Sequence, residues 1–234
     1  MSIYLLINPA AGRGKSYRLN SSIIDNVRTH YADVKVLTAS SIEETRSLIQ
    51  NVVERGAEKL IVAGGDGIVH LAIQAVARSS TALGIIPSGS GNDFARAIGI
   101  PMGIKEAVEI ALSKPSKIDL LKVGNRWVAS VLTFGFSSDV NTRANRMQRP
   151  KGPSRYTFAT LLCLPKLQSR KLELQVDEKK YRFDLVLGTV ANTSEFGGGM
   201  KIAPNADPTD GNSNLTLVTR IGRIELLRFF RRVF

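Results

Sequence analysis

Apolar positions along the first 113 residues fall into two alternating kinds of segment. Short runs rich in β-branched residues cover 3–7, 34–37, 60–63 and 83–86. Each is followed by a stretch in which apolar residues return at helical spacing, at 15–29, 42–54, 69–78, and then 93–98 and 104–112. This alternation predicts a parallel sheet covered by helices, with ligands held beyond the carboxyl ends of the strands. After Pro115 the pattern changes to period-two segments at 118–123, 127–133, 171–176, 181–191 and 215–218, which predicts antiparallel β-structure. Gly124-Asn125 marks a hairpin, since both residues tolerate positive φ. A mostly helical insert at about 138–167 interrupts the β-region. The expected organisation is an α/β domain over 1–115 with a parallel sheet, then a mostly antiparallel, β-sandwich-like domain over 116–234.

Charge and cysteine content narrow the setting. The net charge is +12, and residues 141–234 hold 17 Lys/Arg against 8 Asp/Glu, so the second part carries most of the excess. Such a bias attracts phosphorylated molecules, nucleic acid or an anionic bilayer. Nucleic acid is the least expected partner, because no RNP-like strand, zinc finger or recognition helix accompanies the charge. The single cysteine, Cys163, excludes an internal disulfide, and no run of 18 apolar residues suggests a membrane span. A cytoplasmic protein with peripheral membrane association is expected.

The loops after the strands carry the candidate chemistry. The segment after the first strand, Asn8-Pro9-Ala10-Ala11-Gly12-Arg13-Gly14-Lys15-Ser16, ends like a P-loop. However, Pro9 occupies the position of its first glycine and lacks the N–H that cradles phosphate. A dinucleotide fingerprint also fails, at Tyr17. What remains is a generic anion-binding turn at a helix start. The third strand ends in Gly64-Gly65-Asp66-Gly67, where glycines permit close backbone approach and a carboxylate sits at a helix start. The fourth is followed by Pro87-Ser88-Gly89-Ser90-Gly91-Asn92-Asp93. Alone, either is an ordinary turn. Together they offer N–H groups and a hydroxyl for a triphosphate and acids for a magnesium ion.

The ordered set of Asn8-Pro9…Gly12, Gly64-Gly65-Asp66-Gly67, Pro87-x-Gly-Ser-Gly-Asn92-Asp93, Ile118-Asp119-Leu120, and Gly197-Gly198-Gly199-Met200…Asp207-Pro-x-Asp210-Gly211 resembles the diacylglycerol kinase catalytic family. Arg143-Ala-Asn-Arg-Met147 resembles its actinobacterial branch. The resemblance implies ATP and Mg²⁺ as cofactors and a lipid primary hydroxyl as acceptor, most directly that of diacylglycerol, met at an anionic membrane surface. It implies that Asn8, Pro9, Ala10, Ala11, Gly12, Thr38, Gly65, Asp66, Gly67, Ile68, Val69, His70, Leu71, Ser90 and Asp93 line the nucleotide. Asp207, Asp210 and Asn212 would hold a magnesium ion, with Asp119 reaching it through water; a plain polar β-turn explains the composition of that segment equally well.

The family assigns its general base to a carboxylate in a later segment, and such a segment does not occur before Phe234. The resemblance therefore implies a shortened chain, with Asp66 as the catalytic candidate within it. Ile68 and Leu71 also replace the family's usual Thr and Glu. The alternatives are an NAD kinase, for which His70-Leu71 stands where an Asn-Glu pair is expected, and a catalytically impaired nucleotide- or membrane-binding remnant. A homodimer is a candidate assembly.

Overall fold

The structure is a computed structural model that describes residues 2–7, 15–150, 154–197, 199–226 and 228. The chain divides into two compact units, Met1–Ala129 and Ser130–Phe234.

The first unit is built on a four-stranded parallel sheet of β1 (Ile3–Ile7), β2 (Lys35–Thr38), β3 (Lys59–Gly64) and β4 (Ala82–Pro87), in the order β2-β1-β3-β4. The two inner strands are buried along their whole length, as expected when helices cover both faces. Their alternate residues feed two cores. Tyr4, Leu6, Leu60 and Val62 pack with α2 (Ile42–Glu54) and α3 (Asp66–Val76). Ile3, Leu5, Ile7 and Ile61 pack with α1 (Lys15–His30) and α5 (Ile104–Leu112). Ser41 caps α2 by accepting the Glu44 N–H, while the Glu44 carboxylate accepts from the Ser40 hydroxyl and N–H, and these two Ser40 bonds hold the carboxyl below its usual range. Lys59 is buried, and its ammonium donates to the Ser113 carbonyl at 2.7 Å, tying β3 to the end of α5.

The boundary expected near 115 falls later, because the hairpin of β5 (Leu121–Val123) and β6 (Arg126–Val128) belongs to the first unit. Trp127 is the reason. Its N–H donates to Gln74 Oε1 at 2.9 Å, and its carbonyl accepts from Gln74 Nε2 at 2.8 Å. Ile118, Leu120 and Trp127 also pack against the core beneath α3. The single strand expected over 127–133 is accordingly broken in two, and its second half changes partners.

The second unit holds an antiparallel sheet in which β9 (Lys179–Ala191) is flanked by β12 (Asn214–Thr219), β7 (Val131–Gly135) and β8 (Arg170–Val176). A short hairpin pairs β10 (Glu195–Phe196) with β11 (Met200–Lys201). The helical insert is α6 (Phe136–Arg146), α7 (Ser154–Cys163) and a 3₁₀ turn, Leu164–Lys166. Phe136, Val140 and Ala144, spaced by four, turn one face of α6 to the core.

Candidate functional site

The carboxyl ends of β3 and β4 lie side by side, with Gly64 paired to Pro87 and the Ser88 N–H donating to the Gly64 carbonyl at 3.0 Å. The two loops that follow therefore start together, and they then touch. A Cβ at Gly89 would lie 2.4 Å from Gly65 Cα, closer than any real side chain approaches backbone. Gly89 and Gly65 are glycine because each loop fills the space where the other's side chain would be.

Polar bonds fix the same contact. Asp66, the first residue of α3, accepts the Phe94 N–H at 3.1 Å and so caps α4 (Asp93–Ala97) from across the loops. Its other carboxylate oxygen faces Gly91, where a Cβ would stand 2.8 Å away. Asn92 adopts the left-handed conformation at φ 59° and closes its own loop, accepting from the Gly89 N–H at 3.0 Å and donating to the Gly89 carbonyl at 2.9 Å. Arg96 pairs with Asp93 at 3.2 Å and donates to the Gly91 carbonyl at 2.9 Å.

The candidate residues separate into groups. Asn8, Pro9, Ala10, Ala11 and Gly12 lie outside the described residues, directly after β1. Thr38 ends β2 beside Ile7 and is exposed. Gly65, Asp66, Gly67, Ser90 and Asp93 come together at the loop pair. Ile68 and Val69 do not offer side chains to a ligand, since both are buried in the core under α3, and Leu71 packs against it. The N–H groups of Ile68 and Val69 are taken by the Gly65 carbonyl, at 3.2 and 3.3 Å. Asp66 and Gly67 precede any intrahelical acceptor, so their N–H groups are the ones a helix start presents to an anion. Among the described residues, a Cβ at Gly67 would meet nothing within 4 Å. His70, one turn further along α3, is held below its ordinary pKa by partial burial first and then by Arg126 and Arg46.

In the second unit, residues 207–212 form an exposed turn held by local bonds. Asp207 accepts from the Thr209 hydroxyl at 2.7 Å and from its N–H at 2.9 Å, which keeps its carboxyl below the usual range. Asp210 accepts the Asn212 N–H at 2.8 Å. Gly211 follows at φ 76°, as such a turn requires. Among the described residues no group of three or more His, Cys, Asp or Glu is assembled to hold a metal. One or two carboxylates with nearby carbonyls fit a hard cation that keeps several waters, as magnesium does, and do not form a finished cage. Asp119 lies in the first unit, half-buried between Ile118 and Leu120.

Asn92 and Arg96, which organise the second loop, were not among the expected site residues. The Gly-Asn-Asp run signalled Asn92, because asparagine is the non-glycine residue that most readily takes positive φ. Arg96 carried no such signal.

The comparisons agree with this geometry. The diacylglycerol kinase catalytic domain family matches residues 2–123, and the YegS C-terminal NAD kinase beta sandwich-like domain matches residues 130–234. A diacylglycerol kinase of Mycobacterium tuberculosis is 35% identical, covering 98% of this chain and 77% of its own length. A probable lipid kinase YegS-like protein of Pseudomonas syringae is 29% identical over 75% of this chain and 58% of its own. A crystal structure of a Bacillus anthracis diacylglycerol kinase superposes with a TM-score of 0.77 at 21% identity, covering 100% of this chain and 76% of that one, a likeness of fold. A parallel sheet whose glycine loops cross-brace at its carboxyl edge, followed by an antiparallel β-unit, places the chain in the diacylglycerol kinase family of lipid kinases.

Proposed function

We propose that the chain transfers the γ-phosphoryl group of ATP to the primary hydroxyl of a membrane lipid, with diacylglycerol as the acceptor, and that it works at an anionic membrane surface. The observation that carries this reading is the contact between the two glycine loops. It stacks two helix starts at one sheet edge and, among the described residues, leaves space beside Gly67 where phosphate oxygens can approach backbone N–H groups.

In the transfer, the lipid hydroxyl oxygen bonds to the γ-phosphorus and the bond from that phosphorus to the β–γ bridging oxygen breaks. The hydroxyl proton passes to a carboxylate. Asp66 serves here in two ways: one oxygen fixes the second loop through Phe94, and the other, beside Gly91, accepts the proton. Gly65, Gly67 and Ser90 position the triphosphate, and Asp93, steadied by Arg96, orders the loop around it. The Asp210 turn, with Asp207 and Asn212, would hold a magnesium ion, a cation that offsets phosphate charge.

The test uses the full chain with Mg²⁺, γ-labelled ATP and mixed micelles of diacylglycerol and anionic lipid, counting label in the organic phase. Label is expected in lipid, and Asp66→Asn, which keeps an acceptor for the Phe94 N–H and hence the fold, should lower the rate roughly 100-fold or more. Full activity in that variant places the base elsewhere. ATP binding without transfer in the parent chain removes the kinase reading while keeping the nucleotide site.

A further inference from the structure

Helix α7 (Ser154–Cys163) packs one side against its unit and leaves much of the rest exposed. Ala159 is buried, and Cys163 is half-buried in the core formed with α6 and β9. The opposite side carries Phe158, Leu161 and Leu162 at i, i+3 and i+4, which are 50%, 51% and 42% exposed. Three large apolar side chains on one solvent face of a ten-residue helix are more than scattered surface hydrophobicity.

The surroundings select what covers them. From 140 to 172 the chain contains eight Lys/Arg and no Asp or Glu. Arg170 is neutralised by Asp139 at 2.7 Å. Arg143, Arg146, Arg149 and Lys166 are exposed and make no ion pair among the described residues. An apolar centre flanked by unpaired cations matches an anionic bilayer, whose headgroups take the cations while its acyl region takes the phenyl and leucyl groups. A second copy of the chain would bring the same cations face to face, and a nucleic acid would leave Leu161 and Leu162 without partners.

We propose that α7 is a membrane-inserting wedge: Phe158, Leu161 and Leu162 enter the acyl boundary of an anionic bilayer while the flanking cations bind its headgroups. The proposal rests on the lipid kinase reading only for the biological identity of the surface. It adds to simple charge attraction a component that high salt does not remove.

The test is flotation of the full chain with vesicles of phosphatidylcholine alone and of phosphatidylcholine with phosphatidylglycerol at roughly 3:1. The parent chain should float with the anionic vesicles. Phe158→Ser combined with Leu161→Ser should weaken partitioning about tenfold or more, since each fully buried apolar side chain is worth about a decade. Binding that is equal in parent and variant overturns the wedge, as does failure of the parent to bind. So does a drop from dimer to monomer in the variant by sedimentation without vesicles, which would make the face a self-association surface. In Phe158→Trp, quenching by brominated acyl chains is expected, and its absence would contradict insertion even if a Ser variant misfolds. Phosphorylation of a water-soluble short-chain diacylglycerol separates the two readings. The Ser variants should leave that activity unchanged. A parent chain that floats, and whose Phe158→Trp form is quenched, but that never phosphorylates keeps the wedge and loses the kinase reading.

Discussion

Two acid-and-glycine segments of this molecule look alike in sequence and are held together by different means. The loops at 64–67 and 87–93 depend on each other: Asp66 caps a helix 28 residues away in sequence, and Gly89 is small because Gly65 lies against it. In the turn at 207–212 the side-chain bonds seen among the described residues are local, joining each aspartate to the second residue after it. The first arrangement is pre-formed by tertiary contact between two loops. The second is a local shape that a cation can complete. In the proposed reading the rigid loops serve positioning, and the turn holds a cation.

The contrast predicts different answers to the same substitution. Gly89→Ala forces a Cβ into the Gly65 backbone and should cost roughly 1–3 kcal/mol in a thermal melt of the first unit, with loss of nucleotide binding. Gly211→Ala meets no atom within 4 Å and pays only for its positive φ, about 1 kcal/mol. Equal costs would erase the distinction. Removing the acid rather than the glycine separates structure from chemistry. Asp210→Ala should change stability by no more than ~0.5 kcal/mol, because the turn is exposed and its bond local, yet lower label transfer by about tenfold or more. Transfer at the parent rate would remove this turn from the magnesium reading.

The smallest effect concerns pH. His70 has a folded pKa below its unfolded value of about 6.5, so its protonated form disfavours the folded state. Stability of the first unit should therefore be complete above about pH 6.5 and decline as pH falls through the folded pKa. His70→Gln should flatten that decline in denaturant titrations across this range, and an unchanged slope would assign it to other groups.

Much of this arrangement was legible in the residue pattern, for reasons particular to each element. Ile3–Ile7, Ile42–Glu54 and Ile104–Leu112 match their expected limits because apolar periodicity ends at a sharp polar or glycine boundary in each case. Helix α3 starts three residues before the expected 69, because its first turn is the glycine loop itself, whose composition reads as a turn until Asp66 is seen capping its neighbour. The break at Ala129 was hidden, since residues 127–133 contain no glycine, proline or charge to mark a boundary. The Gln74–Trp127 bonds, between residues 53 apart, and the packing of Trp127 on the core under α3 decide which unit the hairpin joins. The loop motifs signalled phosphate chemistry, but not that Ile68 and Val69 would be spent on the core.

The measurement that tests the central claim most directly is calorimetric titration of Mg²⁺–ATP into the parent chain and Gly67→Val. Among the described residues a Cβ at Gly67 meets no atom within 4 Å, so the variant should melt within about 2 °C of the parent, as for a surface change. If the open space beside Gly67 is where the triphosphate meets the backbone, affinity should fall at least tenfold, in the range expected for losing a close backbone contact. A variant that melts normally and binds Mg²⁺–ATP as tightly as the parent would contradict the assignment of the paired glycine loops as the nucleotide site.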